Sequence, residues 1–172
     1  MPELRREKEA TREANKRGYS LHIDISPKHP PSTEKGFSRV VEFVDEHTKY
    51  FMIEPCKAKS EAIGIIKNKV VETENLVSPT KVGRIRNDGA RELVNKKDLL
   101  KWYKERGIKL QHSAPYHQYQ NGLVERSVRT INEGARACML RANNPTGDWL
   151  LAKQNFVYLR NHFYTPKGMN ET

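Results

Sequence analysis

Between Val124 and Ala142, apolar residues recur at alternating spacings of four and three: Val124, Val128, Ile131, Ala135, Cys138 and Ala142. That period belongs to an α-helix with one continuous apolar stripe, which needs a surface to pack on. The neighbouring face carries Glu125, Arg129, Asn132 and Arg136 at the same spacings. One face is therefore predicted to pack on a sheet, while the next presents a carboxylate, two arginines and an amide. The helix should begin after Asn121 and Gly122, out of the turn-rich stretch HSAPYHQYQNG, which puts Glu125 in its first turns.

The remaining patterns supply the sheet. From Tyr19 to Ser26, Leu21, Ile23 and Ile25 alternate with His22, Asp24 and Ser26, the period of a strand with an apolar and a polar face. PKHPPSTEKG ends it, since proline removes ladder donors and glycine permits a turn. Phe37–Val44 and Lys49–Glu54 read as a hairpin around a polar turn, with Asp45 and Glu46 as turn residues. After Pro55 the period lengthens, and Ala62, Ile65, Ile66 and Lys69 to Val70 predict a helix from about Ala58 to Glu74, the crossover that a parallel strand requires. That strand, Thr80–Arg86, runs into Asn87, Asp88 and Gly89, so a carboxylate stands at the strand end where open α/β sheets bind ligands. A short helix over Lys96–Arg106 should bury Leu99, Leu100, Trp102 and Tyr103, and a strand over Ile108–His112 follows. After the break at Asn143 to Gly147, a final helix should bury Trp149, Ala152, Phe156, Leu159 and Phe163, so both tryptophans read as core.

At 172 residues the chain fits one domain able to bury a core. Residues 19–172 form that domain in this reading, and 1–18, charged and without an apolar stripe, read as a linker or exposed helix. Lys and Arg number 31 against 21 Asp and Glu, a net charge of +10 that points to a polyanionic partner. Cys56 and Cys138 lie far apart with no CxxC or paired His, which argues against a disulfide framework or a structural zinc site. No apolar run approaches a membrane span and no signal-peptide core is present, so a soluble protein made in the cytosol is expected.

The ordered stretches HIDISP, FVDEHTKYF, KAKSE, Arg86 with Asp88 and Glu92, Gly107 with Ile108, Ala114 to Tyr116, Gln120 to Gly122 with Glu125 and Arg126, and Tyr158, Leu159 and Asn161 resemble the integrase catalytic core of copia-type LTR retrotransposons, a relative of retroviral integrases. The resemblance runs from about Tyr19 to the C-terminus. It implies a ribonuclease-H-like α/β fold: a mixed five-stranded sheet, three antiparallel strands then two parallel additions, with helices on both faces. It also implies an Asp-Asp-Glu triad of Asp24, Asp88 and Glu125, the last two separated by 36 residues (125 − 88 − 1). The chain departs from the family pattern at Gly89 to Arg91 and at Gln118 and Tyr119.

Three carboxylates without His or Cys make an all-oxygen site suited to Mg²⁺ or Mn²⁺, and two such ions are expected during in-line displacement at phosphorus. Asp24 and Asp88 are the candidates for shared ligation, with Glu125 completing a metal shell. On the loop before the helix, Tyr116, Gln120 and Asn121 are expected to orient DNA, and Arg126, Arg129 and Arg136 to meet phosphates. The implied partners are element-end and target DNA, with homo-oligomers where flanking domains are present. The implied place of action is the nucleus. The chain reads as one domain cut from a longer polyprotein. A ribonuclease-H-type nuclease using Glu61 and a catalytically silent DNA-binding module remain open beside the integrase reading.

Overall fold

A computed structural model describes residues 16–87, 96–112, 118–144 and 146–163, with the backbone alone described at 112, 118–125 and 146. Strands β1 (Ser20–Ile25), β2 (Arg39–Asp45) and β3 (Phe51–Cys56) lead through a 3₁₀ turn (Lys59–Glu61) into helix α1 (Ala62–Leu76). Strand β4 (Arg84–Asn87), helix α2 (Lys97–Glu105), strand β5 (Lys109–His112) and helices α3 (Gln118–Arg141) and α4 (Trp149–Phe163) follow. The sheet order is β3-β2-β1-β4-β5. β1, β2 and β3 pair antiparallel, whereas β4 joins β1 and β5 joins β4 in parallel. This is the expected mixed sheet.

Both faces are covered. Leu21, Ile23, Val41, Phe43 and Ile85 pack against Ala62, Ile66 and Val70 of α1 and Leu99 and Tyr103 of α2. On the other face, Val44 and Phe51 meet Ile131 of α3 and Val157 of α4, and Val40 meets Trp149 and Leu150. The supposedly polar side of β1 is therefore buried as well: Ser20 and His22 are 0% and 1% exposed. Alternation correctly separated the two faces, but a central strand has no solvent face.

Other local expectations shift for identifiable reasons. β4 starts at Arg84 rather than Thr80, because the chain before it folds under the Tyr19 ring. Gly83 and Arg84 N–H groups both donate to the Tyr19 carbonyl, at 3.0 and 3.1 Å, and a Cβ on Gly83 would lie 2.2 Å from the ring. The packed side of α3 turns toward Ser127, Ile131 and Ala135, leaving Ala142 exposed. In α4 the sheet-facing residues are Trp149, Leu150, Lys153 and Val157, while Leu159 and Phe163 are 39% and 81% exposed. In α2, Leu100 is also exposed. Cys56 and Cys138 are free thiols. Among the described residues, no helix is long and apolar enough to cross a membrane.

The edge strand β3 is closed by a side chain. Asn161 of α4 accepts the Phe51 N–H at 3.0 Å and donates to the Phe51 carbonyl at 2.7 Å. Its amide thus satisfies backbone groups that an edge otherwise exposes to strand pairing. Helices α3 and α4 meet through Gly134, where a Cβ would fall 2.1 Å from the Phe156 ring. Gly134→Ala gains about 1 kcal/mol of helix propensity but must displace that ring. The expected result is a net loss of about 1–3 kcal/mol, read as a lower urea midpoint at unchanged slope.

Candidate active site

Because β1, β4 and β5 run parallel, their C-terminal ends share one edge of the sheet. Asp24, the fifth residue of β1, stands at this edge, half-buried, with its Oδ1 accepting the Ile25 N–H at 2.8 Å. Its cross-strand partner is Glu42, so both carboxylates lie on the face covered by α3 and α4. β4 ends at Asn87, and Asp88 lies outside the described residues. The register before it is clear: Arg86, two positions ahead of Asp88, pairs with His22, two positions ahead of Asp24.

Helix α3 packs on β1 and β2. The backbone at Glu125 belongs to this helix, although its side chain is outside the described set, as is all of Tyr116. Gln120 and Asn121 fall within the helix rather than on a preceding loop, since α3 begins at Gln118. Proline and glycine punctuation suggested a later start, but Gly122 is accommodated inside the helix at a modest propensity cost. Arg126, Arg129 and Arg136 are all exposed. Arg129 and Arg136 share a stripe with Asn132, and Arg126 stands about 100° from the Glu125 position around the helix.

Sequence reasoning missed the polar framework around these elements. Glu46, expected only in a turn, accepts from Ser20 Oγ at 2.5 Å and from Arg86 at 2.8 Å. His22 Nε2 and an Arg84 nitrogen lie 3.6 and 3.9 Å from its Oε2, beyond ordinary hydrogen-bond length. Arg86 also donates to Gln111 on β5 at 2.9 Å. The network therefore links the β2–β3 turn to the three parallel strands whose ends carry the candidate residues. Neighbouring Asp45 does behave as a turn residue, accepting from Thr48 N and Oγ1 and from Gly18 N.

A second missed pair is Glu42 and Lys153, 2.5 Å apart and 1% and 3% exposed. Each sits at an apolar position of its element, Glu42 within VVEFV and Lys153 between Trp149 and Val157. A charge in such a run was the available signal, and it becomes interpretable only when the opposite charge is found across the core. Glu61, the nuclease candidate, uses its carboxylate to accept the Lys57 and Ala58 N–H groups at 3.3 and 3.1 Å. It opens the helix on the opposite sheet face from Asp24.

No family model matches the chain. It is 30% identical over 140 residues to the retrovirus-related Pol polyprotein from transposon RE1 of Arabidopsis thaliana, a match covering 80% of this chain and 9% of the polyprotein. The RE2 polyprotein of the same plant is 33% identical over 127 residues, 72% of this chain and 8% of its own length. Among solved structures, the HTLV-2 integrase catalytic core in complex with magnesium superposes with a TM-score of 0.62 at 15% identity, covering 90% of this chain and 94% of that one. The chain belongs to the integrase catalytic-core family of copia-type retrotransposons. A chain of the simian T-cell lymphotropic virus intasome in complex with the PP2A regulatory subunit B56 gamma matches in fold at a TM-score of 0.69 and 17% identity, over 92% of this chain and 53% of that one. The HTLV-2 core is known in dimeric and trimeric forms. These structural likenesses are of fold. The chain spans about a tenth of the plant polyproteins it matches.

Burial pushes the Glu46 carboxyl up, but contact with His22 and Ser20 and the Arg86 charge outweigh it, holding the carboxyl down from 4.5 to about 2. The folded value lies below the ordinary one, so the associated stability is present above pH 4.5 and is lost as pH falls toward about 2. Glu46→Gln should lower stability at neutral pH by about 1–3 kcal/mol and flatten the pH profile of stability within that acid window. A steep acid limb surviving in the variant would assign it to other groups.

Proposed function

We propose that the chain is the catalytic core of a DNA integrase, in which Asp24, Asp88 and Glu125 form a carboxylate site for Mg²⁺ or Mn²⁺. The observation that carries this reading is the parallel register in which His22 pairs with Arg86. It is the register that two carboxylates, each two residues further along, need in order to share a ligand. Helix α3, whose backbone includes Glu125, packs on the same strands. Oxygen donors on a basic protein fit a hard divalent cation and a polyanionic substrate. Asp24 fits this donor set because it stands half-buried at the sheet edge, not sealed in the core. Among the described residues, no three His, Cys, Asp or Glu side chains already form a metal cluster; Asp88 and the Glu125 side chain lie outside them.

Two bound divalent ions would supply activation of an attacking oxygen and stabilisation of the leaving oxygen at phosphorus. In end processing, the oxygen of water attacks a phosphodiester near the element end, the P–O3′ bond breaks, and a recessed 3′-hydroxyl remains. In strand transfer, that hydroxyl attacks a target phosphodiester, and the displaced 3′-oxygen leaves with a proton. The magnesium named with the HTLV-2 core supports the choice of ion, and its oligomeric forms support assembly of several copies when flanking domains are present. Integration takes place on nuclear DNA in this reading. Glu61, spent on backbone N–H groups, does not support the nuclease alternative.

Glu125→Gln should reduce Mn²⁺-dependent strand transfer, or its reversal on branched DNA, on the order of 10²–10³-fold or more, with the circular dichroism spectrum and melting temperature retained. Full activity in a folded variant removes Glu125 from the site. Arg129 and Arg136, exposed on one stripe of α3, should each contribute about 0.9 to the salt slope of duplex binding. The double alanine variant should therefore show a slope about 1–2 units shallower, measured by anisotropy across a salt series.

A further inference from the structure

Two opposite charges are sealed in the core beside Asp24. Glu42 stands directly across the antiparallel β1–β2 ladder from it, which sets their Cβ atoms about 4.5–5.5 Å apart on one face of the sheet. Glu42 is 1% exposed, and its Oε1 accepts from Lys153 Nζ of α4 at 2.5 Å; Lys153 is 2% exposed. The other carboxylate oxygen, Glu42 Oε2, is buried with no hydrogen-bond partner among the described residues. A buried carboxylate oxygen without a donor is costly, so this group has unspent capacity to bind a cation.

Lys153, and not Glu42, lines a cleft of about 500 Å³ between the β1–β2 connection and α3, whose walls include His29 and Asn132. The cation therefore stands on the open side of the pair and the carboxylate on the side of the sheet. Burial, together with the Lys153 and Arg39 charges, lowers the pKa of His29 and favours its neutral ring, so His29 does not replace Lys153 as the counter-charge. Glu has one methylene more than Asp, and oxygens that share one small divalent ion at about 2.1 Å each lie no more than about 4 Å apart. From a directly opposed strand position, a Glu42 carboxylate released by Lys153 has the length to meet an ion held on Asp24.

We propose that Lys153 is a positioning residue that withholds Glu42 from the carboxylate site, so that a divalent ion meets three carboxylates and not four. This rests on the reading of Asp24, Asp88 and Glu125 as that site. A further anionic ligand holds a divalent ion more tightly. It also takes a coordination position that water or a phosphate oxygen needs for in-line displacement. An ion pair serving packing alone carries neither consequence.

Mn²⁺ binding to the full chain is measured from the electron paramagnetic resonance signal of the free ion, in the wild type, Lys153→Met, Glu42→Gln/Lys153→Met and Asp24→Asn. Lys153→Met should bind Mn²⁺ about tenfold more tightly than the wild type, while its strand transfer falls about tenfold or more. The double variant keeps the shape of Glu42 without its charge and should return both quantities to within about threefold of the wild type. Unchanged or weaker Mn²⁺ binding by a folded Lys153→Met overturns the role of Lys153. An uncompensated Glu42 is destabilising, so the melting transition of Lys153→Met is also recorded in chelator and in Mn²⁺. If this variant is unfolded in chelator, Mn²⁺ should restore the transition, and Asp24→Asn/Lys153→Met should not be restored; absence of that rescue overturns the proposal as well. Wild-type Mn²⁺ binding that Asp24→Asn leaves unchanged overturns the carboxylate site and this proposal together. Loss of binding in Asp24→Asn with wild-type binding in Lys153→Met overturns the proposal alone.

Discussion

The parallel pairing of β1 with β4 is the constraint on which the rest of the molecule depends. A parallel neighbour cannot be reached by a tight turn, so the chain must leave the antiparallel hairpin, cross one face as α1 and return. That crossover commits one face of the sheet to α1 and α2 and leaves the other to α3 and α4. It also brings the ends of β1, β4 and β5 to a common edge. Asp24 therefore stands at the edge where β4 and β5 also end, whereas its antiparallel neighbour β2 runs the other way.

Charged groups inside the fold reinforce the same arrangement. Glu46 draws in Arg84 and Arg86 of β4 and lies against Ser20 and His22 of β1, toward the strand ends opposite the candidate site, so it ties the two parallel strands together. Glu42 and Lys153 tie α4 to the sheet beside Asp24. A buried ion pair is weak evidence for stability, because desolvation offsets much of the attraction, yet losing one partner would leave an uncompensated charge costing about 3–5 kcal/mol. The pair specifies how α4 sits. It also cancels the Lys153 charge, so one interaction serves both the packing of α4 and the electrostatics beside Asp24.

Much of this was legible because periodicity reports burial directly. The strands β1, β2, β3 and β5, the crossover helix and the two C-terminal helices all follow from two-residue or three-and-four-residue spacing. The ordered motifs identified the family that the plant polyproteins then supported. What escaped were features that depend on a second segment. Gly83 shortens β4 because of Tyr19, Gly134 is small because of Phe156, and Leu159 and Phe163 are exposed because Lys153 and Val157 turn to the sheet instead. Asn161, recognised in sequence only as part of a resemblance, has a physical role in covering the β3 edge.

The sequence by itself determined the element order, the mixed sheet, the basic character suited to a polyanion, and the three carboxylates to consider. Each of these depends on local spacing or on composition, which the linear chain carries in full. Only the tertiary structure decided that both faces of β1 are buried, that Asp24 stands beside Glu42, that Glu61 is spent on backbone N–H groups, and that His29 and Asn132 face one cleft. Those outcomes depend on contacts between residues far apart in the chain, whose geometry follows from sheet register and helix rotation. No single segment of the sequence records either.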